Sequence, residues 1–202
     1  MARPGLPLIL ASTSPYRREL LARLRLPFEV RAPAYTEQAD PGAPPGDLAR
    51  RHALGKARSI ARQAPNRIVV GSDQVAELDG AVLGKPGCAE AAVAQLARAS
   101  GRVVGFHTAV AVCWHGREES AVERFAVRLR RLTREQIAAY VEADEPYGSA
   151  GSFRIESLGI ALMERMEGSD YTGLIGLPLI ALTRLLERLG VDVLREARYE
   201  AR

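Results

Sequence analysis

The sequence predicts an α/β fold in which a mixed, twisted central sheet is flanked by helices. In the first half of the chain, short apolar runs typical of buried strands alternate with amphipathic helical segments. Two longer strand-like segments, 103–114 and 122–132, then follow each other across a turn at 115–117. Hydrophobic residues make up 47% of the 202 positions, which is enough to bury a substantial core. Alternation followed by a hairpin is typical of a mixed sheet.

The first half of the chain contains the alternating elements. Strands are predicted in the short apolar runs at 6–11, 28–31 and 67–70. Helices are predicted from Pro15 onward, at 47–62 and at 90–98. Ser14 suits an N-cap and Pro15 suits the first helical position, so this helix start is the best defined. Segment 33–46 contains four prolines and two glycines, which indicates a loop, and Asp79-Gly80 indicates a hairpin turn.

The second half combines the hairpin with two further helices. Apolar Phe125, Val127 and Leu129 alternate with arginines, so one face of that strand is expected to meet solvent. Thr133 and Gln136 form a capping-box pattern that opens a helix to about residue 142. A strand is predicted at 159–166 and a last helix at 179–189. We expect one domain over 1–202, with its core at about 6–190 and a frayed tail at 195–202.

Charge and cysteine content narrow the functional classes. The formal net charge of +4 fits a polyanionic ligand, but the basic residues are scattered, so we expect no nucleic-acid partner. The chain has two cysteines and no CxxC pair, which argues against a structural zinc site or a disulfide framework. The apolar run near the N-terminus is too short for a signal peptide, and no stretch approaches a membrane span. A cytoplasmic protein without a membrane partner is the simplest expectation.

The segment 12–18 has the composition of an anion site. A strand leads through small hydroxyl residues into a helix whose first turn contains Arg17 and Arg18. Two cations there oppose the helix dipole, which favours acidic groups by about 0.3–1 kcal/mol. A bound anion would reverse this penalty, because backbone N–H groups, hydroxyls and guanidiniums would converge on it. The alternative is that both arginines are solvated.

Four further residues are candidates for chemistry, each with an ordinary alternative. Asp73 follows a predicted buried strand, where it could hold a metal ion or take a proton from water, or simply cap a turn. Lys56 and Lys85 gain a role only as parts of a triphosphate cradle and are otherwise solvated. Glu156 follows a stretch of small residues and is either a ligand for a purine edge or a surface side chain. The three histidines have no triad or metal spacing, and we assign them no role.

Six short motifs occur in a fixed order. They are STSPYRRELL at 12–21, KA at 56–57, GSDQV at 71–75, GKP at 84–86, AGSF with a following glutamate at 150–156, and GLPL at 176–179. In order and spacing they resemble the Maf family of nucleotide pyrophosphatases, from about residue 8 to 189. The resemblance implies a Maf/ITPase-like fold with two lobes around a cleft, and hydrolysis of a nucleoside triphosphate to its monophosphate and pyrophosphate.

Three positions resemble the 7-methyl-GTP branch of that family rather than the dTTP/UTP branch. They are the aromatic Tyr16 after Ser-Pro, Gln74 after Asp73, and Glu156 in the late motif. Methylation at N7 makes guanine cationic, and an aromatic face attracts such a ring by up to about 2 kcal/mol. A glutamate can accept both donors of the guanine Watson–Crick edge, and hydrogen bonds to a charged group are worth about 1.5–3 kcal/mol. The resemblance therefore implies 7-methyl-GTP as substrate.

The resemblance also implies roles for the site residues. The triphosphate would be held by Ser12, Ser14, Arg17, Lys56 and Lys85. Asp73 would act as general base or as ligand for Mg²⁺ or Mn²⁺, two roles that the sequence does not separate. The family often has an Asp-Glu pair where this chain has Thr36-Glu37, so Glu37 alone carries over as a second metal ligand. Tryptophan is the residue most often expected at position 16, where this chain has tyrosine.

Other functions remain open from the sequence. A dTTP/UTP pyrophosphatase of the same family is the alternative within the enzyme class. A nucleotide-binding regulator of septum formation, without turnover, is the alternative outside it, and nucleic-acid binding is suggested only by the basic charge. The resemblance further implies a homodimer.

Overall fold

The computed structural model describes residues 8–40 and 42–197. Its seven strands form one sheet in the order β2-β1-β3-β5-β6-β7, with β4 paired to β3 outside this path. The strands are β1 (Leu8–Ala11), β2 (Phe28–Arg31), β3 (Ile68–Leu78), β4 (Ala81–Leu83), β5 (Val103–Trp114), β6 (Arg117–Leu129) and β7 (Met163–Gly168). Strand β1 runs parallel to β2 and β3, and the remaining pairs are antiparallel. The predicted mixed α/β sheet is confirmed.

Seven α-helices flank this sheet within the described residues. They are α1 (Pro15–Ala22), α2 (Pro45–Ala61), α3 (Ala89–Ala99), α4 (Arg134–Asp144), α5 (Tyr171–Ile175), α6 (Leu179–Arg188) and α7 (Val193–Glu196). Short 3₁₀ turns occupy Ala150–Ser152 and Leu158–Leu162. None of the helices in 8–40 and 42–197 has the length and apolar character needed to cross a membrane.

The two faces of the sheet are covered by different helices. Successive residues of a strand point to opposite faces. In β3, Val70 packs with α1 and α6, whereas Val69 packs with α2. Further along β3, Ala76 and Leu78 join a third cluster built from α3, α4 and the β5–β6 hairpin. The sheet therefore passes between α2 on one side and the remaining packed helices on the other.

Local sequence signals fix several element boundaries. The Ser14 side chain accepts the Arg17 N–H at 3.4 Å at the start of α1. Asp79 and Gly80 both have positive φ in the turn between β3 and β4, as a tight hairpin requires. Thr133 forms the full capping box of α4. These three predictions are confirmed.

Other boundaries differ from the prediction. Strand β3 continues to Leu78 rather than ending at residue 70, so Asp73 lies within a strand and pairs with Ala109 of β5. The predicted strand 159–166 is a 3₁₀ turn until Leu162, and β6 spans Arg117–Leu129 instead of 122–132. Residues 6–7 and 198–202 lie outside the described residues, while residues 195–196 of the expected frayed tail belong to α7.

Close packing of α2 on β3 is made possible by Gly71. A Cβ atom at this position would lie 2.4 Å from the Ala53 carbonyl oxygen of α2. The backbone of the helix therefore rests directly on the strand, two residues before Asp73. Lys56, one turn from Ala53, is brought over the same part of β3.

Candidate active site

One cavity of about 200 Å³ collects nearly all of the residues predicted to form the site. It lies where the N-terminus of α1, strand β3 and the segment after α4 approach each other. Its lining includes nine of the ten predicted residues, namely Ser14, Tyr16, Arg17, Glu37, Lys56, Asp73, Gln74, Lys85 and Glu156. Ser12 is the exception. Cations and carboxylates from six separate segments thus share one solvent-accessible space.

Ser12 supports the wall of the cavity instead of lining it. Its side chain is buried and its hydroxyl oxygen accepts the Ser14 N–H at 3.1 Å. This contact shapes the loop between β1 and α1 and leaves Ser14 at the surface of the cavity. The structure therefore gives Ser12 a place behind the predicted phosphate-binding loop.

A buried ion pair forms the floor of the cavity. The Lys56 Nζ lies 2.5 Å from Asp73 Oδ1 and 2.6 Å from Glu37 Oε1. Lys56 and Asp73 are only 8% and 6% exposed, so their charges interact in a region that excludes most water. Burial acts to raise the pKa of Glu37, but the hydrogen bond and charge of Lys56 outweigh it and leave that pKa below its ordinary value. Glu37 is therefore ionised at neutral pH.

The two carboxylates suit a metal site whose coordination is completed by the substrate. Asp73 and Glu37 already converge on one cationic atom, the Lys56 Nζ. Mg²⁺ is usually held by one or two carboxylates together with substrate phosphates and water, so two carboxylates are sufficient. Within the described part of the chain, no three His, Cys, Asp or Glu side chains cluster as an all-protein metal cage. The donor set fits a cation that binds together with a polyphosphate.

Arg17 is the second fixed cation of the cavity. Its Nε donates to the Gly176 carbonyl at 2.9 Å, and this contact joins α1 to the end of α5. The same carbonyl oxygen lies 2.9 Å from the Ser72 hydroxyl. Burial lowers the pKa of Arg17, while the negative charges of Asp73 and Glu37 oppose this shift. An anion entering the cavity would complete the set of acceptors around this guanidinium.

Gln74 lines the cavity but uses its amide nitrogen elsewhere. The Nε2 atom donates to the carbonyl oxygens of Gly173 and Leu174, both at 2.9 Å, and to Thr108 Oγ1 at 3.0 Å. These bonds tie α5 to strand β3. The structure thus places Gln74 as a support for the wall of the cavity that includes Leu174.

The other end of the cavity is aromatic and apolar. Tyr16 lies there with Phe106, Phe153 and Ile155, and the Phe106 and Phe153 rings meet edge to face with centroids 5.4 Å apart. Glu156 borders this wall. Burial raises the pKa of Glu156 above its ordinary value of 4.5, and Asp144 adds to the rise, while Arg154 and Tyr16 oppose it. Phe106, Phe153 and Ile155 thus give the cavity an apolar part of its lining, with one carboxylate, Glu156, beside it.

Comparison with known proteins identifies the family. The model of the family described as Maf-like protein matches residues 7–189. The chain belongs to the Maf family. The resemblance predicted from the ordered motifs is thereby confirmed.

Several curated Maf relatives are similar over nearly their whole length. The 7-methyl-GTP pyrophosphatase of Bordetella pertussis is 52% identical over 95% of this chain and 97% of its own. The protein of the same name from Syntrophotalea carbinolica is 47% identical over 93% of this chain and 96% of its own. Among solved structures, the Staphylococcus aureus Ham1 protein aligns with a TM-score of 0.49 and 13% identity, over 91% of this chain and 97% of its own.

Some cavity residues of this Maf protein were not predicted. Phe106 comes from the middle of β5, where its apolar character is indistinguishable from that of a core residue. Ser149 and Gly176 also line the cavity. Gly176 begins the GLPL motif, so the motif order was a signal for it, whereas Phe106 had no signal in the local sequence.

Proposed function

We propose that this Maf protein hydrolyses 7-methyl-GTP to 7-methyl-GMP and pyrophosphate. The observation that supports this most directly is the single cavity with two chemically distinct ends. Lys56, Asp73, Glu37 and Arg17 provide the charged lining, and Tyr16, Phe106 and Phe153 provide the aromatic lining. The curated relatives that share about half of its residues bear the name 7-methyl-GTP pyrophosphatase, which agrees with this assignment.

The charged end would bind the triphosphate. Ser14, at the N-terminus of α1, lines the cavity, and Arg17 and Lys85 add positive charge. Asp73 and Glu37 would hold a divalent cation, Mg²⁺ or Mn²⁺, together with phosphate oxygens. That cation would neutralise charge on the phosphates and lower the pKa of a bound water. Positioning and charge neutralisation are the main requirements of phosphoryl transfer, and this end supplies both.

The reaction would be a direct displacement at the α-phosphorus. A water oxygen forms the new bond to phosphorus, and the bond to the bridging oxygen breaks, releasing pyrophosphate. The proton of the water passes to Asp73 when this residue acts as the general base. No covalent intermediate with the protein is needed. The Lys56 Nζ, which lies 2.5 Å from Asp73 Oδ1, orients the carboxylate before the substrate enters.

The aromatic end would select the base. The Tyr16 ring offers its face to a cationic 7-methylguanine, an attraction of up to about 2 kcal/mol when water is excluded. Glu156 would accept the N1–H and amino donors of the guanine edge. Arginine in place of Tyr16 would repel the methylated base, and this supports the assignment over dTTP or UTP.

Further properties follow as part of the same proposal. We place the enzyme in the cytoplasm, as one domain whose core spans about 6–190, acting as a homodimer. Cys88 and Cys113 are both free thiols, which agrees with a reducing compartment. Light scattering on the purified protein tests the dimer, and a mass of one chain would contradict it.

A nucleotide panel tests the proposed reaction. Pyrophosphate release is measured with 7-methyl-GTP, GTP, dTTP and UTP, each with Mg²⁺, with Mn²⁺ and without metal. The proposal expects the highest kcat/KM for 7-methyl-GTP with a metal present. A preference for dTTP or UTP would indicate the other branch of the family. Nucleotide binding without pyrophosphate release would indicate a regulator.

One single variant and one matched pair of variants test the site. Tyr16→Arg should shift preference from 7-methyl-GTP toward dTTP, and an unchanged preference would refute the role of Tyr16. Arg17→Ala should lower kcat/KM by roughly 10- to 100-fold, because a charge-assisted hydrogen bond is lost. Arg18→Ala is the matched control, since Arg18 is exposed and does not line the cavity. Equal losses in both arginine variants would contradict the assignment of Arg17.

A further inference from the structure

Tyr35 and His52 form a partly buried contact beside the charged end of the cavity. The Tyr35 hydroxyl lies 2.9 Å from His52 Nδ1, and the two rings meet edge to face with centroids 5.8 Å apart. His52 is only 4% exposed. The His52 side of the hydrogen bond is therefore shielded from water, while Tyr35 is half-buried. The proposed reaction gives neither residue a task.

A glycine of α2 provides the space for the Tyr35 ring. A Cβ atom at Gly55 would lie 2.2 Å from Tyr35 Cε2 and 2.4 Å from Cζ. Any other residue at this position would displace the ring. A glycine inside a helix is unfavourable for the helix itself, so its presence under the ring indicates a packing requirement.

The contact between Tyr35 and His52 joins the loop that supplies the Glu37 carboxylate to helix α2, which supplies its partner Lys56. On α2, His52 precedes Lys56 by one helical turn, so both side chains project from the same face. In the loop after β2, Tyr35 precedes Glu37 by two residues. Glu37 has a side chain that is 54% exposed, and its carboxylate pairs with Lys56 at 2.6 Å. The exposed carboxylate depends on its neighbours to remain near Asp73.

From these contacts we infer that Tyr35 is a positioning residue for the divalent cation. Bonded to His52 and seated over Gly55, it fixes the backbone of the Glu37 segment so that the Glu37 carboxylate meets Lys56 and Asp73. The inference rests on the metal site of the proposed function. It also gives a structural reason for a metal site to which this loop supplies Glu37 alone. The resemblance implies an Asp-Glu pair in the same loop.

A second contact of the same loop supplies a matched control. Asp40 pairs with Arg51 of α2 at 2.9 Å, and both side chains are substantially exposed. This pair also joins the loop to α2, but neither of its residues lines the cavity that contains Lys56 and Arg17. Exposed ion pairs contribute little to stability, so its removal should leave the Glu37 segment in place.

Mn²⁺ binding in the presence of a non-hydrolysable nucleoside triphosphate analogue tests the inference, because the cation is expected to bind together with a polyphosphate. Free Mn²⁺ is measured by electron paramagnetic resonance on the full chain, wild type and variants, after thermal melting has shown that each is folded. Tyr35→Phe removes the hydroxyl and keeps the ring, and it should weaken Mn²⁺ binding by roughly 3- to 10-fold. Arg51→Ala should change it by less than about twofold. In Tyr35→Phe, kcat at saturating Mn²⁺ should return to near the wild-type value.

Three results would overturn the inference. They are Mn²⁺ binding by Tyr35→Phe equal to that of the wild type, an equal loss in Arg51→Ala, or no Mn²⁺ binding by the wild type. Gly55→Ala provides an independent variant. Its added methyl group displaces the Tyr35 ring although Tyr35 keeps its hydroxyl group, and it should also weaken Mn²⁺ binding. Absence of pyrophosphate release by a wild type that binds Mn²⁺ would refute the proposed reaction and leave the positioning role of Tyr35 intact.

Discussion

Replacing Lys56 by methionine would leave the Asp73 carboxylate buried without its partner. Methionine keeps most of the length and the apolar stem of lysine and removes the ammonium. In the described residues, Lys56 is the one side chain recorded as a hydrogen-bond donor to Asp73, which is 6% exposed. Removing one partner of a buried ion pair costs about 3–5 kcal/mol of unfolding free energy. The nearby charge of Arg17 offsets part of this cost, so we expect a value near the lower end, about 3 kcal/mol.

A double-mutant cycle separates the charge from the packing. Asp73→Asn should destabilise the protein less than Lys56→Met, because Lys56 retains Glu37 at 2.6 Å. The double variant Lys56→Met/Asp73→Asn should be more stable than Lys56→Met alone, since no unpaired carboxylate remains buried. The expected coupling between the two sites is about 1–3 kcal/mol.

Urea unfolding at pH 7 with EDTA measures all four proteins without interference from metal. A loss of about 3 kcal/mol also corresponds to a fall in melting temperature of roughly 6–12 °C for a chain of this size. Two results would contradict this reasoning: Lys56→Met unfolding at the wild-type urea concentration, or a double variant less stable than Lys56→Met. Either would show that leaving Asp73 buried without Lys56 does not destabilise the protein.

Two further variants test the aromatic end and the wall of the cavity. Glu156 must be ionised to accept the guanine donors, and because its pKa is raised, the KM for 7-methyl-GTP should rise as the pH falls through that pKa, which lies above 4.5. Glu156→Gln should raise KM at pH 7 by about tenfold or more and abolish this acidic limb, so an unchanged pH profile would exclude Glu156 from base binding. Gln74→Leu removes the donor shared by Gly173, Leu174 and Thr108, and it should lower the unfolding free energy by about 1–3 kcal/mol. Hydrogen exchange should then accelerate mainly in α5, and uniform acceleration across the chain would contradict a local tether.

Local signals predicted the elements that depend on local contacts. Ser14 with Pro15, Asp79 with Gly80, and Thr133 with Gln136 each satisfy backbone groups within a few residues, so their meaning is visible in the sequence. The presence of most site residues in one cavity was predicted differently, from the order of motifs along the chain. No local pattern would have grouped Tyr16 with Glu156.

Long-range contacts account for the predictions that were wrong or incomplete. Gly71-Ser72-Asp73 has the composition of a turn, yet pairing with β5 keeps it in the middle of an eleven-residue strand. That pairing joins residues almost forty positions apart, and sequence periodicity does not reveal it. Gln74 gave no sign of its bonds to α5, which lies about one hundred residues later.

The Gly176 carbonyl is synthesised later than every residue predicted for the site. All ten residues predicted for the site precede position 157, so a nascent chain of that length already contains every candidate functional group. It lacks the carbonyl that receives both the Arg17 guanidinium and the Ser72 hydroxyl. Translation must therefore continue some twenty residues further before Arg17 is anchored, and a prematurely terminated product retains the charges without their alignment.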